Sequence, residues 1–232
     1  MDLLLEALTE AWRLLTTGDG DVYSIALRTL VLTATSTALS AAIGIPLGLA
    51  IALARFPGQR WLVAATNAGM GMPPVVAGLV VSMLLWRSGP LGALGLIYTP
   101  AAIVVAQVTI ALPMIAAVSA GAVMALPPSL HLQIRAMGAS TPQYLWLVAR
   151  EARLPLLVAA MAGFGAVVSE VGASMMVGGN LAGQTRVLTT AAMLEVSRGR
   201  FGTALALGLI LLAVIFAIAA VLTAAQQRSR RR

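Results

Sequence analysis

Five stretches of this chain are too long and too apolar for a water-soluble fold to bury. Thr29–Ala54, Trp61–Trp86, Thr99–Leu126 and Phe201–Gln227 contain no Asp, Glu or Arg, and Leu154–Gly178 contains only Glu170. A helix that crosses a bilayer needs about 20 apolar residues, so each window predicts one transmembrane helix. Val, Leu, Ala and Gly are spread evenly along them, without the polar–apolar alternation of a barrel strand. The balance of the chain agrees, with 59% hydrophobic and 10% charged residues against about 25% charged in a soluble domain. The expected fold class is all-α and polytopic. One membrane domain covers 22–227, between an amphipathic segment at 1–21 and a basic tail at 228–232.

Several chemistries are excluded by composition. There is no Cys, so disulfides, thiolate metal sites and cysteine nucleophiles are absent. With His131 as the single histidine, a multi-histidine metal centre cannot form. Met70, Met72, Met175 and Met176 lack the repeated ligand spacing of a thioether metal site and read as packing. The net charge of +7 does not call for nucleic acid, because the arginines are scattered singly except at the C-terminus. No G-x-x-x-x-G-K-[ST] occurs, so the chain holds no P-loop ATPase. No paired carboxylates or serine–base arrangement stand at motif spacing, which argues against a membrane-embedded enzyme.

Arginine placement orients the spans. ARFPGQRW, the stretch Ile134–Pro155 and the terminal QQRSRRR together hold nine of the fifteen arginines. The positive-inside rule assigns these three to the cytoplasm. Arg13, Arg28, Arg87, Arg186, Arg198 and Arg200 then lie outside, balanced by six acids. Five spans put the N-terminus outside and the C-terminus in the cytoplasm. At the N-terminus, Asp2, Glu6, Glu10 and Arg13 share one helical face, while Leu4, Leu5, Leu8, Trp12 and Leu15 lie elsewhere. This predicts a helix lying on the outer leaflet and ended by GDGD (Gly18–Asp21). It lacks the basic n-region and A-x-A site of a secretory signal.

The stretch IRAMGASTPQYLWLVAREARLP, Ile134 to Pro155, interrupts the apolar runs. Pro127 and Pro128 end the third span. Ser129 is expected to cap a short helix running to about Met137. Gly138, Ala139 and Ser140 follow as a small-residue elbow, and Thr141 with Pro142 is expected to cap and open a second helix toward Arg153. Connecting loops are ordinarily a few residues long. A loop of this length with its own capped helices is suited to be gripped by a partner.

MGAS (Met137–Ser140) resembles the Gly-Ala core of the cytoplasmic coupling segment in binding-protein-dependent ABC importer permeases. That pattern has EAA where this chain has Leu132, Gln133 and Ile134, and Leu-Pro where it has Arg150 and Glu151. LVAREARL, SEVGASMMVGGN, TRVLTT, FGTALALGLILL and the run from Gly71 to Gln107 are similar to permeases of tungstate-type oxyanion importers. The resemblance covers roughly Leu27 to Leu222. It implies a type I (MetI-like) importer permease of about five transmembrane helices in a bacterial inner membrane, and a homodimer around one path. It further implies a separate ATPase that binds ATP, with no cofactor in this chain, and an extracytoplasmic binding protein that delivers tungstate or a similar oxyanion. Ala136, Met137, Gly138, Ala139, Ser140, Thr141 and Pro142 are the expected contact with the ATPase. Importers of molybdate, sulfate or another small solute share most of these motifs. A stand-alone channel or secondary carrier is the rival of a different class; it needs no elbow and more paired ionisable residues in its spans.

Glu170 lies 16 residues past Leu154, about 24 Å along a helix at 1.5 Å per residue. A charge at that depth must be paired or hydrated. Since a carboxylate repels an oxyanion, two readings remain, a gate beside the path or a hydrogen-bonding anchor. Ser169, Gly172, Ala173 and Ser174 around it suit close backbone approach. Ser169, Glu170, Gly172, Ser174 and Asn180 are therefore the expected path or gate residues. Gly178–Asn180 ends the span, and the segment 181–200 lies outside or dips back as a short helix. Thr185 and Arg186 could attract an oxyanion or meet the binding protein; a solvated or Glu195-paired Arg186 is the alternative. Met72-Pro73-Pro74 predicts a kink in the second span, and Gln107 and Pro113 leave the third span open to either a moving or a static reading.

Overall fold

The computed structural model describes residues 2–16, 20–54 and 56–230. Gly18 and Asp19 of the expected turn, Arg55 of the first basic loop and residues 231–232 of the tail lie outside these. So do the side chains of Asp2, Leu4, Glu6 and Leu15, which the sequence assigns to the two faces of the first helix. All regular elements among the described residues are helices, and none is a strand. In chain order the helices are α1 (Asp2–Thr16), α2 (Gly20–Leu53), α3 (Gln59–Met70), α4 (Pro74–Leu85), α5 (Pro100–Met124) and α6 (Pro128–Ala136). They continue with α7 (Thr141–Glu151), α8 (Arg153–Val168), α9 (Gly172–Gly178), α10 (Leu188–Ser197) and α11 (Phe201–Arg230).

α5 is the centre of the molecule. It packs against α2, α3, α4, α8 and α9, and its Ile103, Ala106, Ile110, Ala111 and Ile115 fill the main core. α2 meets it through a buried line of small residues, Thr33, Ser36, Ser40, Gly44 and Gly48. A Cβ on Gly44 would sit 3.1 Å from the Leu112 carbonyl oxygen, and one on Gly48 only 2.6 Å from that of Ala116. In lipid no hydrophobic force drives two apolar helices together, so close backbone packing of small residues must do so.

Two further clusters mark the ends of α2. Val22 joins Ala11 and Leu14 of α1 and residues of α10 and α11, whereas Leu49 joins Val123, Ile134, Tyr144 and Val148. Val22 and Leu49 are about 40 Å apart along an ideal helix, roughly a bilayer's full thickness. The segment 181–200 and the α6–α7 elbow therefore sit at opposite ends. α1 buries Ala11 and Leu14 against α11 and leaves Leu5, Leu8 and Trp12 exposed.

Three continuous helices, α2, α5 and the first part of α11, are long and apolar enough to cross a membrane, and up to five crossings result if the bent pairs α3–α4 and α7–α8 each count as one. The second window is not one kinked helix. It is α3 and α4, set at 108° to each other. Pro73 and Pro74 both lack an amide proton, so the last backbone bond of this turn is donated by Met72, and Pro74 opens a new helix at its first position. The fourth window is also two helices, α8 and α9, broken at 169–171. The caps of the elbow are displaced from their expected residues. Pro127, not Ser129, precedes α6, because Pro128 itself occupies the first helical position. Ser140, not Thr141, caps α7, with its N–H donating to Gln143 Oε1 at 2.8 Å.

Candidate functional site

The break between α8 and α9 is built around Glu170. The ladder of α8 ends at Val168, and the Glu170 side chain turns back onto the start of α9. Oε1 accepts the Ala173 N–H at 2.6 Å, while Oε2 accepts the N–H and the hydroxyl of Ser174, both at 3.0 Å. A carboxylate at the positive end of a helix, receiving donors that the helix cannot satisfy itself, is favourably placed even in an apolar surround. Glu170 is only 6% exposed, and both its oxygens face α9. Ser169, by contrast, is exposed and donates its hydroxyl proton to the Gly165 carbonyl at 3.0 Å. Gly172 lies against Val75 of α4.

Neighbouring helices take up the remaining polar groups. The Gln107 Nε2 of α5 reaches the Val167 carbonyl at 3.5 Å, and its Oε1 lies 2.7 Å from the Ser36 hydroxyl of α2. The Thr189 hydroxyl of α10 donates to the Glu170 carbonyl at 3.0 Å. The break thus ties α2, α5 and α10 to one point. Of these partners only Gln107 stands out in the sequence, as a lone amide in an apolar span.

α9 ends on two successive left-handed residues, Gly179 (φ +67°) and Asn180 (φ +52°). The side chain of Tyr98 packs where a Gly179 Cβ would project, so glycine is required there for space as well as for φ. Asn180 is buried and donates from Nδ2 to the Thr190 carbonyl at 3.3 Å. Thr185 is 1% exposed. Its hydroxyl donates to the Gly178 carbonyl at 2.5 Å and accepts the Leu181 N–H at 2.9 Å, so its one proton is not free for an anion. Thr185→Val leaves both groups unsatisfied and should cost about 1–3 kcal/mol, read as a lower melting temperature of the purified protein.

Arg186 is half-buried. It donates from Nε to Asn180 Oδ1 and from Nη2 to the Asn180 carbonyl, both at 3.3 Å. It does not pair with Glu195, the alternative left open from the sequence. Glu195 is taken by Arg198 at 3.2 Å and by Arg200 at 2.5 Å, at the C-terminal end of α10. A partner that sequence reasoning misses is Arg28 of α2. It donates to the Arg186 carbonyl at 3.0 Å and to the Gly183 carbonyl at 2.9 Å.

At the opposite end, α6 and α7 meet at Gly138, which has φ +74°. Its N–H closes the turn onto the Arg135 carbonyl at 3.0 Å, and a Cβ there would meet nothing within 4 Å. Met137, Gly138, Ser140, Thr141 and Pro142 are exposed and Ala139 is half-buried, with Ala136 exposed at the end of α6. Beside them, between α6 and the α7–α8 bend, opens a cavity of about 810 Å³ lined by Met137, Leu147, Arg150, Glu151 and Arg153 among others. Tyr144 anchors the pair from below. Its hydroxyl lies 2.9 Å from His131 Nδ1, and the Arg135 guanidinium stands 5.0 Å over its ring. The elbow projects from a buried root of Ile134, Tyr144 and Val148. Among the described residues no three His, Asp or Glu gather as a metal site would require.

Comparison with known proteins gives this arrangement a context. The chain is 35% identical over 231 residues to the tungstate uptake system permease protein TupB of Peptoclostridium acidaminophilum, covering 98% of this chain and all of that one. The protein of the same name from Campylobacter jejuni is 32% identical over 94% of this chain and 91% of its own length. A probable anion ABC transporter permease of Haloferax volcanii is 40% identical over 174 residues, 73% of this chain and 75% of that protein. In structure, the chain superposes on a subunit of an inward-facing MetNI methionine ABC transporter with a TM-score of 0.72. That match covers 93% of this chain and 97% of the other at 22% identity, and it bears on the fold alone. Residues 44–231 match the model of a known transport family, so the chain is a binding-protein-dependent transport system inner membrane component.

Proposed function

We propose that two copies of this chain form the translocation path of an ATP-driven importer for tungstate or a chemically similar oxyanion. The cargo rests on the relatives named for tungstate and for anions, similar over most of this chain. The chain itself binds no cofactor and does no chemistry; a separate ATPase binds and hydrolyses ATP. A binding protein delivers the anion to the end where α10 lies. The N-terminus and the 181–200 segment face outward, while the elbow and the C-terminus face the cytoplasm, as the arginine asymmetry favours.

One observation carries the mechanism: the exposed elbow and the broken helix are joined by two consecutive helices, α7 and α8, with no loop of more than one residue between them. α7 meets α8 at 71°, so a pull on Ala136–Pro142 tilts α8. Its other end, about 24 Å away, is the break at Ser169, Glu170, Gly172 and Ser174, followed by Asn180 and the loop with Thr185 and Arg186. Glu170 braces that break as it moves, and the small residues around it allow the path to open and close. Thr185 holds the loop and Arg186 gives it charge. A secondary carrier would use paired ionisable groups in its spans, whereas the carboxylate of Glu170 is bound to the backbone of α9.

Gly138→Val tests the coupling. A β-branched residue at φ +74° costs about 1–2 kcal/mol, too little to unfold the chain, but it bends the elbow away from its partner. Uptake should be lost while the protein remains inserted and dimeric. Gly138→Asn, which tolerates this backbone, should retain more uptake than valine does. Normal uptake in the valine variant would sink the coupling assignment.

A further inference from the structure

Arg28 and Arg186 come from opposite ends of the sequence yet share one short loop at the outer end of the molecule. Arg28 precedes the uncharged run that begins at Thr29, one residue from the apolar zone. Its guanidinium bonds to two backbone carbonyls, Arg186 at 3.0 Å and Gly183 at 2.9 Å. Carbonyls orient a guanidinium without neutralising it. Arg186 is held in the same way, by the amide and carbonyl oxygens of Asn180. Neither arginine has a carboxylate partner among the described residues. Glu195 is engaged by Arg198 and Arg200, and Glu170 by α9. A guanidinium offers five N–H donors, and among the described residues each of these makes two hydrogen bonds, so donors remain on both. Both side chains are half-buried, where a charge is screened less than on an open surface.

We infer that Arg28 is a second anion-attracting residue of the outer mouth, fixing the 181–187 loop and adding its own positive charge to that of Arg186 where the oxyanion enters. This rests on the oxyanion-importer reading above. A doubly negative, tetrahedral oxyanion is the ligand class that suits two forked donors a few residues from the mouth of an apolar path. Closer to the bilayer centre the polar groups of the break are satisfied by one another. The charge that draws the anion in thus stands at the entrance, ahead of the break that opens.

The test uses the whole transporter, permease with its ATPase and binding protein, in lipid vesicles, reading tungstate taken up and ATP hydrolysed together. In Arg28→Gln, ATP turnover stimulated by the loaded binding protein should stay within about twofold of wild type. Anion moved per ATP should fall about tenfold, the lower end of what focused charge does to local counter-ion concentration. Arg28→Lys, which keeps the charge, should restore most of that ratio, and raising the salt should erase the difference between the two. A merely structural role lowers both readouts together and leaves lysine as poor as glutamine; either outcome overturns the proposal. So does an unchanged ratio in Arg28→Gln beside a wild type that transports. A wild-type complex that hydrolyses ATP but moves neither tungstate, molybdate nor sulfate fails at the earlier step, the oxyanion reading, and removes this proposal with it.

Discussion

Gly48→Leu is expected to eliminate folded protein from the membrane. At this position a Cβ would lie 2.6 Å from the Ala116 carbonyl oxygen, 2.6 Å from the Ser119 Cβ and 2.9 Å from the Ala120 amide nitrogen. Two of these are backbone atoms within α5 and cannot turn aside, so α2 and α5 must separate. Overpacking commonly costs about 1–3 kcal/mol, and Gly48→Ala should already reach that range. Leucine adds a branched side chain to a line already in contact and should exceed it. Since α5 packs against four further helices, its displacement is not a local matter. The measurement is monodisperse protein after mild detergent extraction, with melting temperature for the alanine variant. Gly208→Ala on α11, where an added Cβ meets nothing within 4 Å, is the control. It should be neutral or gain a few tenths of a kcal/mol from helix propensity. Wild-type melting in Gly48→Leu would show that the two helices are not in backbone contact.

Glu170→Ala comes second in size. It removes an acceptor for three donors at once, the amides of Ala173 and Ser174 and the Ser174 hydroxyl. Each buried donor left unpaired costs about 1–3 kcal/mol, and the start of α9 has no other partner among the described residues. The loss should reach several kcal/mol and be visible as reduced abundance. Glu170→Gln separates bracing from folding. The amide keeps one acceptor oxygen but turns an NH2 group toward the N–H donors of α9, so the cap is weakened and its charge removed. Under the proposed mechanism this variant assembles as a dimer, yet its uptake falls at least tenfold. Uptake at the wild-type rate, with the dimer intact, would leave Glu170 a purely static anchor.

The parts of this molecule legible in the sequence are those that depend on local chemistry. Uncharged windows mark the apolar helices because the bilayer penalises charge over a fixed length. Gly138 announces the elbow, and the Gly178–Asn180 run announces the end of α9, because backbone with positive φ selects glycine and asparagine. Prolines were harder to read. Met72-Pro73-Pro74 predicts a kink, but the size of the turn, 108°, depends on what the two helices find to pack against. α4 finds α9, where Gly78 lies against Ala173. A hydroxyl next to a proline suggests caps at Ser129 and Thr141, yet in both cases the helix begins one residue or more earlier. What remained hidden is long-range. Arg28 and Gly183 are 155 positions apart, and Ser36 and Gln107 are 71 apart. No periodicity links them, because each bond exists only after the helices are assembled.

The donors that satisfy Glu170 are only three and four residues further along the chain, and this bears on how the protein is made. A charged residue in an apolar segment resists entry into the bilayer from the insertion machinery by about 2.5–3.5 kcal/mol. Were its partner on a distant helix, Glu170 would have to enter unpaired and wait for the later spans. Here the acceptor and its three donors are synthesised within a few residues of one another. The segment can fold its own break at the point of entry, and the charge goes in already bonded.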